Sequence, residues 1–141
     1  MSEYLETNRA EYQERLRAVS RNGDWNGWCA FFLRGIISQA AENEKRARII
    51  LKLYEIIKNR VLDLTRSQHA IRAVDFIFQT PIFSGPIFLN QAGIPRPTAS
   101  RILGALRDAN IIQTIVQSRG RRPGIFGFRE LLNAAEGREI L

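Results

Sequence analysis

The side chains of this sequence best suited to chemistry are arginines, and they concentrate in one stretch. Between positions 96 and 122 six arginines stand with a single acidic residue, Asp108, which gives the stretch a net charge of +5. They are Arg96, Arg101, Arg107, Arg119, Arg121 and Arg122. A guanidinium binds a phosphate or the edge of a guanine through paired hydrogen bonds. The stretch therefore predicts a surface that contacts a polyanion.

The rest of the charge is divided unevenly along the chain. The net charge of the whole sequence is +7. Positions 1–65 hold 11 basic and 9 acidic residues, whereas positions 66–141 hold 10 basic and 5 acidic residues. Most of the excess positive charge therefore lies in the second half of the chain.

Patterns for catalysis or metal binding are missing from the sequence. The single histidine, His69, and the single cysteine, Cys29, provide neither a set of metal ligands nor a disulfide. Neither of the common glycine-rich phosphate loops is present. We therefore predict no catalytic residue, no metal and no cofactor. The lone cysteine, with no signal peptide and no apolar run of about 20 residues, favours a cytoplasmic protein without membrane contact.

The first half of the chain has the periodicity of helices. Asn8 starts a capping pattern for a helix that ends at Gly23. Asp24 can cap the next helix, whose apolar face covers residues 28–37 and continues in phase over residues 50–61. Either one helix or two helices with a bend between those stretches fits this pattern.

Shorter elements follow residue 65. In order, they are a helix capped by Ser67, a strand at 82–84, a short helix around Phe88, a tight turn at 93–95, a third helix, and two strands at 111–116 and 125–128 around an exposed turn at 118–124. The inward-facing residues are Ala70, Ile71, Val74, Ile77 and Phe78 in the first of these helices and Ala99, Ile102, Leu103 and Leu106 in the third.

This order of elements is typical of a winged helix-turn-helix. We therefore predict a mostly α fold with a small β-wing, in which a helical N-terminal part at 1–65 precedes a winged helix-turn-helix at 66–141. In such folds one helix enters the DNA major groove while a basic loop contacts the phosphates beside it.

The apolar stripe of the third helix determines which of its residues point outward. Arg101 lies opposite the stripe, so it is expected to read base edges, and Arg101→Ala to lower sequence discrimination. The candidate DNA contacts are Arg96, Thr98, Ser100, Arg101 and Arg107 on the helix and Arg119, Arg121 and Arg122 on the turn between the strands. There are two alternatives to DNA contact: the exposed arginines are only solvated, or the winged helix binds a protein instead.

A family resemblance extends over nearly the whole chain. Gly23-Asp24-Trp25, Trp28, Phe31-Phe32-Leu33 and Gln39-Ala40 resemble the segment that follows the catalytic core of Fic-family proteins. The winged helix that follows this segment in many members is similar to the run from Ala92 to Ala99 and to Gly120-Arg121-Arg122-Pro123.

Membership of the Fic family would imply transfer of a nucleotide monophosphate, usually AMP from ATP, to a protein hydroxyl. That activity depends on a His-Pro-Phe motif and a Gly-Asn-Gly-Arg loop. Here His69 is followed by Ala70, and neither motif is present. The resemblance therefore implies a non-catalytic C-terminal module of a Fic-like protein.

Three partners are expected from this interpretation. The first is double-stranded DNA at the basic stretch. The second is a Fic catalytic core, or a target protein presented to that core, which makes a protein-interaction module the alternative function. The third is a second copy of the chain, since positions 1–65 would expose an apolar face that a Fic core normally covers. The large residues of that face are Trp25, Trp28, Phe31 and Phe32.

Overall fold

The computed structural model describes residues 2–140, with side chains from residue 4 onward. The structure is mainly helical and has one small antiparallel sheet, as predicted for the fold class. Its elements are α1 (Ser2–Thr7), α2 (Arg9–Asn22), α3 (Trp25–Thr65), α4 (Ala70–Gln79), β1 (Ile82–Ser84), α5 (Gly85–Gln91), α6 (Arg96–Asp108), β2 (Gln113–Val116), β3 (Ile125–Gly127) and α7 (Arg129–Glu136).

The chain forms two compact units, one ending at Arg46 and the other starting at Ala47. Helix α3 is continuous and contributes residues to both units, which answers the question of one helix or two. The predicted domain division at residue 65 coincides with the end of α3 and stays a prediction. Within residues 2–140, no helix combines the length and the apolar composition that crossing a bilayer needs.

Gly23, Asp24 and Asn8 form the helix ends of the first unit. Gly23 ends α2 in the left-handed conformation, with a φ of 69° that L side chains rarely adopt. Asp24 then caps α3, because its Oδ1 accepts the backbone N–H of Gly27 at 2.9 Å, as predicted. The predicted capping of α2 by Asn8 is wrong. The Asn8 amide instead donates to the carbonyl of Tyr4 at 2.9 Å and so serves the end of α1, which the sequence did not predict.

An aromatic cluster holds the first unit together. Phe31 of α3 is fully buried and lies 5.6 Å from the ring of Tyr4 and 6.0 Å from that of Trp28. Tyr12 of α2 contacts Trp28, with ring centroids 5.7 Å apart. These tilted ring pairs attach α1 and α2 to one face of α3. The expectation that Phe31 lies on an uncovered face is therefore wrong, because its ring is buried within the unit.

The sheet of the second unit has the strand order β1-β3-β2, with both pairs antiparallel. Phe83 is opposite Phe126 in the first pair, and Thr114 is opposite Phe126 in the second. The register of the β2–β3 pair shifts between Thr114 and Val116, which is a bulge next to the turn. The last strand in the chain, β3, is therefore the central strand of the sheet and lies between β1 and β2.

The core of the second unit is built on phenylalanines. Phe88 is fully buried and makes an edge-on contact with Phe76 at 5.1 Å and a stacked contact with Phe83 at 5.7 Å. Ile57 and Val61 of α3 enter the same core, together with the inward residues of α4 and α6. A short helix such as α5 depends on this packing, since seven residues are too few to be stable alone.

Some predicted details of the second unit are wrong. Ile71 was expected to face inward, but 47% of it is exposed, while Phe76 is buried instead. The buried stripe of α4 centres on Ala73 and Ile77, and at about 100° per residue Ile71 lies on the far side of the helix from it.

The strand boundaries also differ slightly from the prediction. β2 begins at Gln113, because the N–H groups of Ile111 and Ile112 donate to the Leu106 carbonyl at the end of α6. β3 ends at Gly127, one residue before the predicted end. The following residue, Phe128, donates its N–H to Pro81 at 2.8 Å.

A polar pair links α3 to α4 beside this core. The hydroxyl of Tyr54 donates to Oδ1 of Asp75 at 2.6 Å. This hydrogen bond, with a further contribution from burial, raises the pKa of Tyr54 to about 12.

We expect this pair to make stability depend on pH in the alkaline range. The unfolded phenol has a pKa of 10.0 and the folded one about 12, so its contribution is complete below pH 10 and is lost as the pH rises from 10 to about 12. Tyr54→Phe should therefore lose less free energy of unfolding than the wild type across this range. Urea unfolding at several pH values measures the difference, and parallel curves for the two proteins would rule out the expected linkage.

Candidate nucleic-acid interface

Helix α6 is positioned by a tight turn at its start and by its buried face. Gly93 in the turn has a φ of 66°, and its carbonyl accepts a hydrogen bond from Nη1 of Arg72 at 2.6 Å. Pro97 occupies the first helical turn, where a missing N–H costs little. The predicted inward residues Ala99, Ile102 and Leu106 are fully buried, and Leu103 is half-buried. The orientation of α6 therefore agrees with the prediction.

Four of the five predicted contact residues of α6 leave their side chains available. Arg96, Ser100 and Arg107 are exposed, and Thr98 is half-buried. Arg107 lies 3.3 Å from Oδ1 of Asp108, but both side chains are largely exposed, so this ion pair is weak. Gly104 lies on the same open side, and a Cβ built there would meet nothing within 4 Å. A ligand could therefore approach the backbone of α6 closely at this position.

Arg101, the fifth predicted contact residue, has a partner within the protein. Its Nη1 donates to the carbonyl of Thr65, the last residue of α3, at 3.2 Å. A base contact by Arg101 therefore requires this hydrogen bond to break. The predicted role of Arg101 in base reading stays a prediction.

Two further arginines also bind carbonyls at helix ends. Arg60 of α3 donates to the Ala109 carbonyl at the end of α6 at 2.7 Å, and Arg72 binds Gly93 as described. A cation at a helix C-terminus satisfies a free carbonyl and interacts favourably with the helix dipole. Arg60, Arg72 and Arg101 therefore stabilise the fold, and their charge is partly committed to it.

The three remaining predicted contacts lie on the turn between β2 and β3. Arg119 and Arg122 exchange backbone hydrogen bonds of 3.1 and 3.0 Å around Gly120 and Arg121. Only Gly120 of the two central residues has a positive φ, 56°, which is the pattern of a type II′ turn. The turn holds the side chains of all three arginines in solvent.

Four unpaired arginines of this unit lie on α6 and on the turn between β2 and β3. Across residues 2–140 the side chains of Arg96 at the start of α6 and of Arg119, Arg121 and Arg122 on the turn form no hydrogen bond or ion pair. Arg129, by contrast, is bound to Glu139 at 2.7 Å. Lys52, Arg66 and Arg138 of the same unit also form no hydrogen bond or ion pair within residues 2–140, so the four arginines are distinguished by their position on α6 and the turn.

An apolar depression lies beside the turn. Its volume is about 580 Å³, and its apolar lining residues are Ile115, Val116, Pro123 and Ile125. Gln117, Arg119 and Arg122 complete the lining. The sequence did not indicate it, because the run at 111–116 places Ile111-Ile112 and Ile115-Val116 around Gln113-Thr114 and shows no alternation that would mark an outward face. Only the buried Ile111 and Ile112 belong to the core.

Groups that could support catalysis or bind a metal are sparse. Among the described residues, no three His, Cys, Asp or Glu side chains come together. His69 is half-buried at the start of α4, where its N–H donates to Oγ of Ser67 at 3.2 Å. His69 therefore contributes to the local structure at the start of α4.

We expect Gly104→Ala to stabilise the protein. Glycine inside a helix costs about 1 kcal/mol relative to alanine, and the new methyl group would meet no atom. The melting temperature should rise by roughly 4–8 °C. Gly124→Ala is the control, since its Cβ would lie 3.1 Å from the Val116 carbonyl oxygen and should lower the melting temperature. A Gly104→Ala protein that melts earlier than the wild type would contradict the prediction.

Comparison with known proteins does not place the chain in a family. Neither a protein-family model nor a curated protein matches the sequence. The kinship with Fic proteins therefore stays a prediction that depends on the residues quoted for it.

Proposed function

We propose that the chain from Ala70 onward is a winged helix-turn-helix that binds duplex DNA. In this proposal α6 enters the major groove and the β2–β3 turn contacts the phosphates beside it. The order α4, β1, α5, α6, β2, β3 supports the proposal, because a helix-turn-helix followed by a two-stranded hairpin is the arrangement such proteins use.

The observation that carries the proposal is the set of four unpaired arginines. Arg96, Arg119, Arg121 and Arg122 are exposed and bind no carboxylate or carbonyl. Within the described residues, Arg66 and Arg138 of the same unit are also unpaired, so what distinguishes the four arginines is their place on the helix and the hairpin that a winged helix uses to contact DNA. Free guanidinium groups on a helix N-terminus and a tight turn are suited to phosphate oxygens.

The salt dependence of binding tests this proposal. Fluorescence anisotropy with a labelled random duplex of about 25 base pairs should give an affinity that falls linearly with salt on logarithmic axes, with a slope near −0.9 for each phosphate neutralised. Four to six contacts would give a slope of roughly −4 to −5. No binding at low salt would exclude the DNA function.

We further propose that this module is non-catalytic, acts in the cytoplasm and accompanies a Fic catalytic core. The lack of the His-Pro-Phe motif supports the first part, and the residues from Gly23 to Ala40 that resemble Fic proteins support the last. In the structure this segment forms the Gly23 helix end, the Asp24 cap and the aromatic contacts of Phe31, so its residues have defined packing roles.

We expect the isolated chain to transfer no AMP. Incubation with labelled ATP and a cell lysate should give no labelled protein above the level without the chain. His69→Ala should leave this result unchanged, since His69 lies at the start of α4 as a residue of local structure. Labelling that requires the chain and disappears with His69→Ala would overturn the non-catalytic interpretation.

The apolar depression beside the turn favours a second candidate function. Ile115 and Val116 would bind an apolar segment of a partner protein, which makes the hairpin a protein-interaction surface. The two functions separate experimentally. Ile115→Ser should abolish partner binding and leave the salt slope of duplex binding unchanged. Because Arg119 and Arg122 also line the depression, Arg121→Ala is the reciprocal variant, and it should weaken duplex binding alone.

A further inference from the structure

An uncharged apolar stripe runs along α3 in the first unit. Its residues are Trp25, Cys29, Phe32, Leu33, Ile36 and Ala40, and we call them the α3 stripe. They follow one another at spacings of three and four along one side of the helix. All are exposed, and the large members include Trp25 at 63%, Leu33 at 57% and Ile36 at 44%.

The first unit itself does not cover the α3 stripe. Helices α1 and α2 contact another face of α3, where Phe31 is buried and Trp28 contacts Tyr12. The stripe runs over 16 residues, or about 22 Å of helix, and none of its six residues is charged. It exposes on the order of 500 Å² of largely apolar surface, which is at the upper end for a monomeric protein.

We propose that a second copy of this chain covers the α3 stripe by antiparallel pairing of the two α3 helices. The stripe is complementary to itself in that arrangement. With the two-fold axis between Phe32 and Leu33, Trp25 lies opposite the partner copy's Ala40, Cys29 opposite its Ile36, and Phe32 opposite its Leu33. Trp25 and Ile36 thus face the smaller Ala40 and Cys29 of the partner copy, while Phe32 and Leu33 pack against each other beside the axis.

Area and charge both favour a second copy as the occupant. Two stripes would bury roughly 1,000 Å² together, the lower limit for a specific interface. The stripe has no charge by which a polar or acidic partner would be selected, and a two-fold interface needs only one self-complementary surface. All of its residues lie before Arg46, so this proposal does not depend on the DNA function of the second unit.

Disulfide trapping tests the register. Ile36→Cys should place a new thiol opposite the native Cys29 of the other copy, so mild oxidation should give a covalent dimer in high yield. The control is Cys29→Ser/Ile36→Cys, which keeps one thiol in each copy, at position 36. These two thiols would lie about 10 Å apart along the helix axes and should not form a disulfide. Equal yields for the two variants, or no covalent dimer from either, would overturn the register.

The mass in solution tests the interface independently. Light scattering of the wild type at about 100 μM should give a dimer. Leu33→Glu should raise the dimer dissociation constant roughly a hundredfold or more, because it buries two carboxylates beside the two-fold axis. Leu51→Glu is the matched control, since Leu51 is 67% exposed on α3 outside the stripe, and it should stay dimeric. A monomeric wild type would overturn the proposal and leave the stripe to a different protein.

Discussion

Replacing Arg119, Arg121 and Arg122 together with alanine will flatten the salt dependence of duplex DNA binding by about 2.7, or about 0.9 for each lost phosphate contact. At about 0.1 M salt the affinity should fall roughly a hundredfold or more. The effect is large because all three side chains are exposed and unpaired on one tight turn, so each is free to release a counterion from the duplex. Anisotropy titrations at several salt concentrations measure both quantities.

The matched control removes the same charge elsewhere. Arg9, Arg17 and Arg21 of α2 are exposed, and their replacement by alanine lowers the net charge equally. This control should leave the slope within about one of the wild-type value. Identical titration curves for the turn variant and the wild type would remove the turn from the DNA interface.

Phe88→Ala should have the largest effect on stability, a loss of about 3–5 kcal/mol in the free energy of unfolding. Phe88 is fully buried, and its ring contacts those of Phe76 and Phe83. It also attaches α5, which is too short to persist without this packing. Because a domain of this size is stable by about 5–15 kcal/mol, a loss of this size approaches unfolding of the second unit. Urea unfolding followed by circular dichroism measures the loss.

The neighbouring residue offers a control for the same helix. Ile87 is exposed on α5, so Ile87→Ala should change the free energy of unfolding by less than about 1 kcal/mol. A similar loss for both variants would mean that α5 is not held by the phenylalanine core. In that case the position of α6 would need another explanation.

Local patterns were sufficient to predict most elements of this chain. The stripe of Ala99, Ile102 and Leu106 predicted the buried face of α6, and Asp24 predicted the start of α3. Helix α7 was not predicted, since its eight residues follow a strand directly and contain only two adjacent leucines as a signal. Short elements of this kind are stabilised by tertiary packing, which a local pattern does not contain.

The residue types of the candidate site were predictable from the sequence, but the hydrogen bonds and exposure of these residues were predictable only in part. The positions of the free arginines at the start of α6 and on the turn follow from helix periodicity and turn chemistry. The hydrogen bond of Arg101 to Thr65 does not, because the two residues are 36 positions apart and meet only when α3 and α6 are both in place. The exposure of Ile115 and Val116 was likewise hidden, since the pairs Ile111-Ile112 and Ile115-Val116 look alike in the sequence although only the first pair is buried.

Mapping of backbone amide shifts on titration with a short duplex tests the central proposal most directly. We predict that the amides which respond will be those of residues 96–100 at the start of α6 and 118–124 on the turn, while those of the first unit stay unchanged. A response confined to residues 25–40, or no response at low salt, would contradict the assignment of α6 and the turn as a DNA-binding surface.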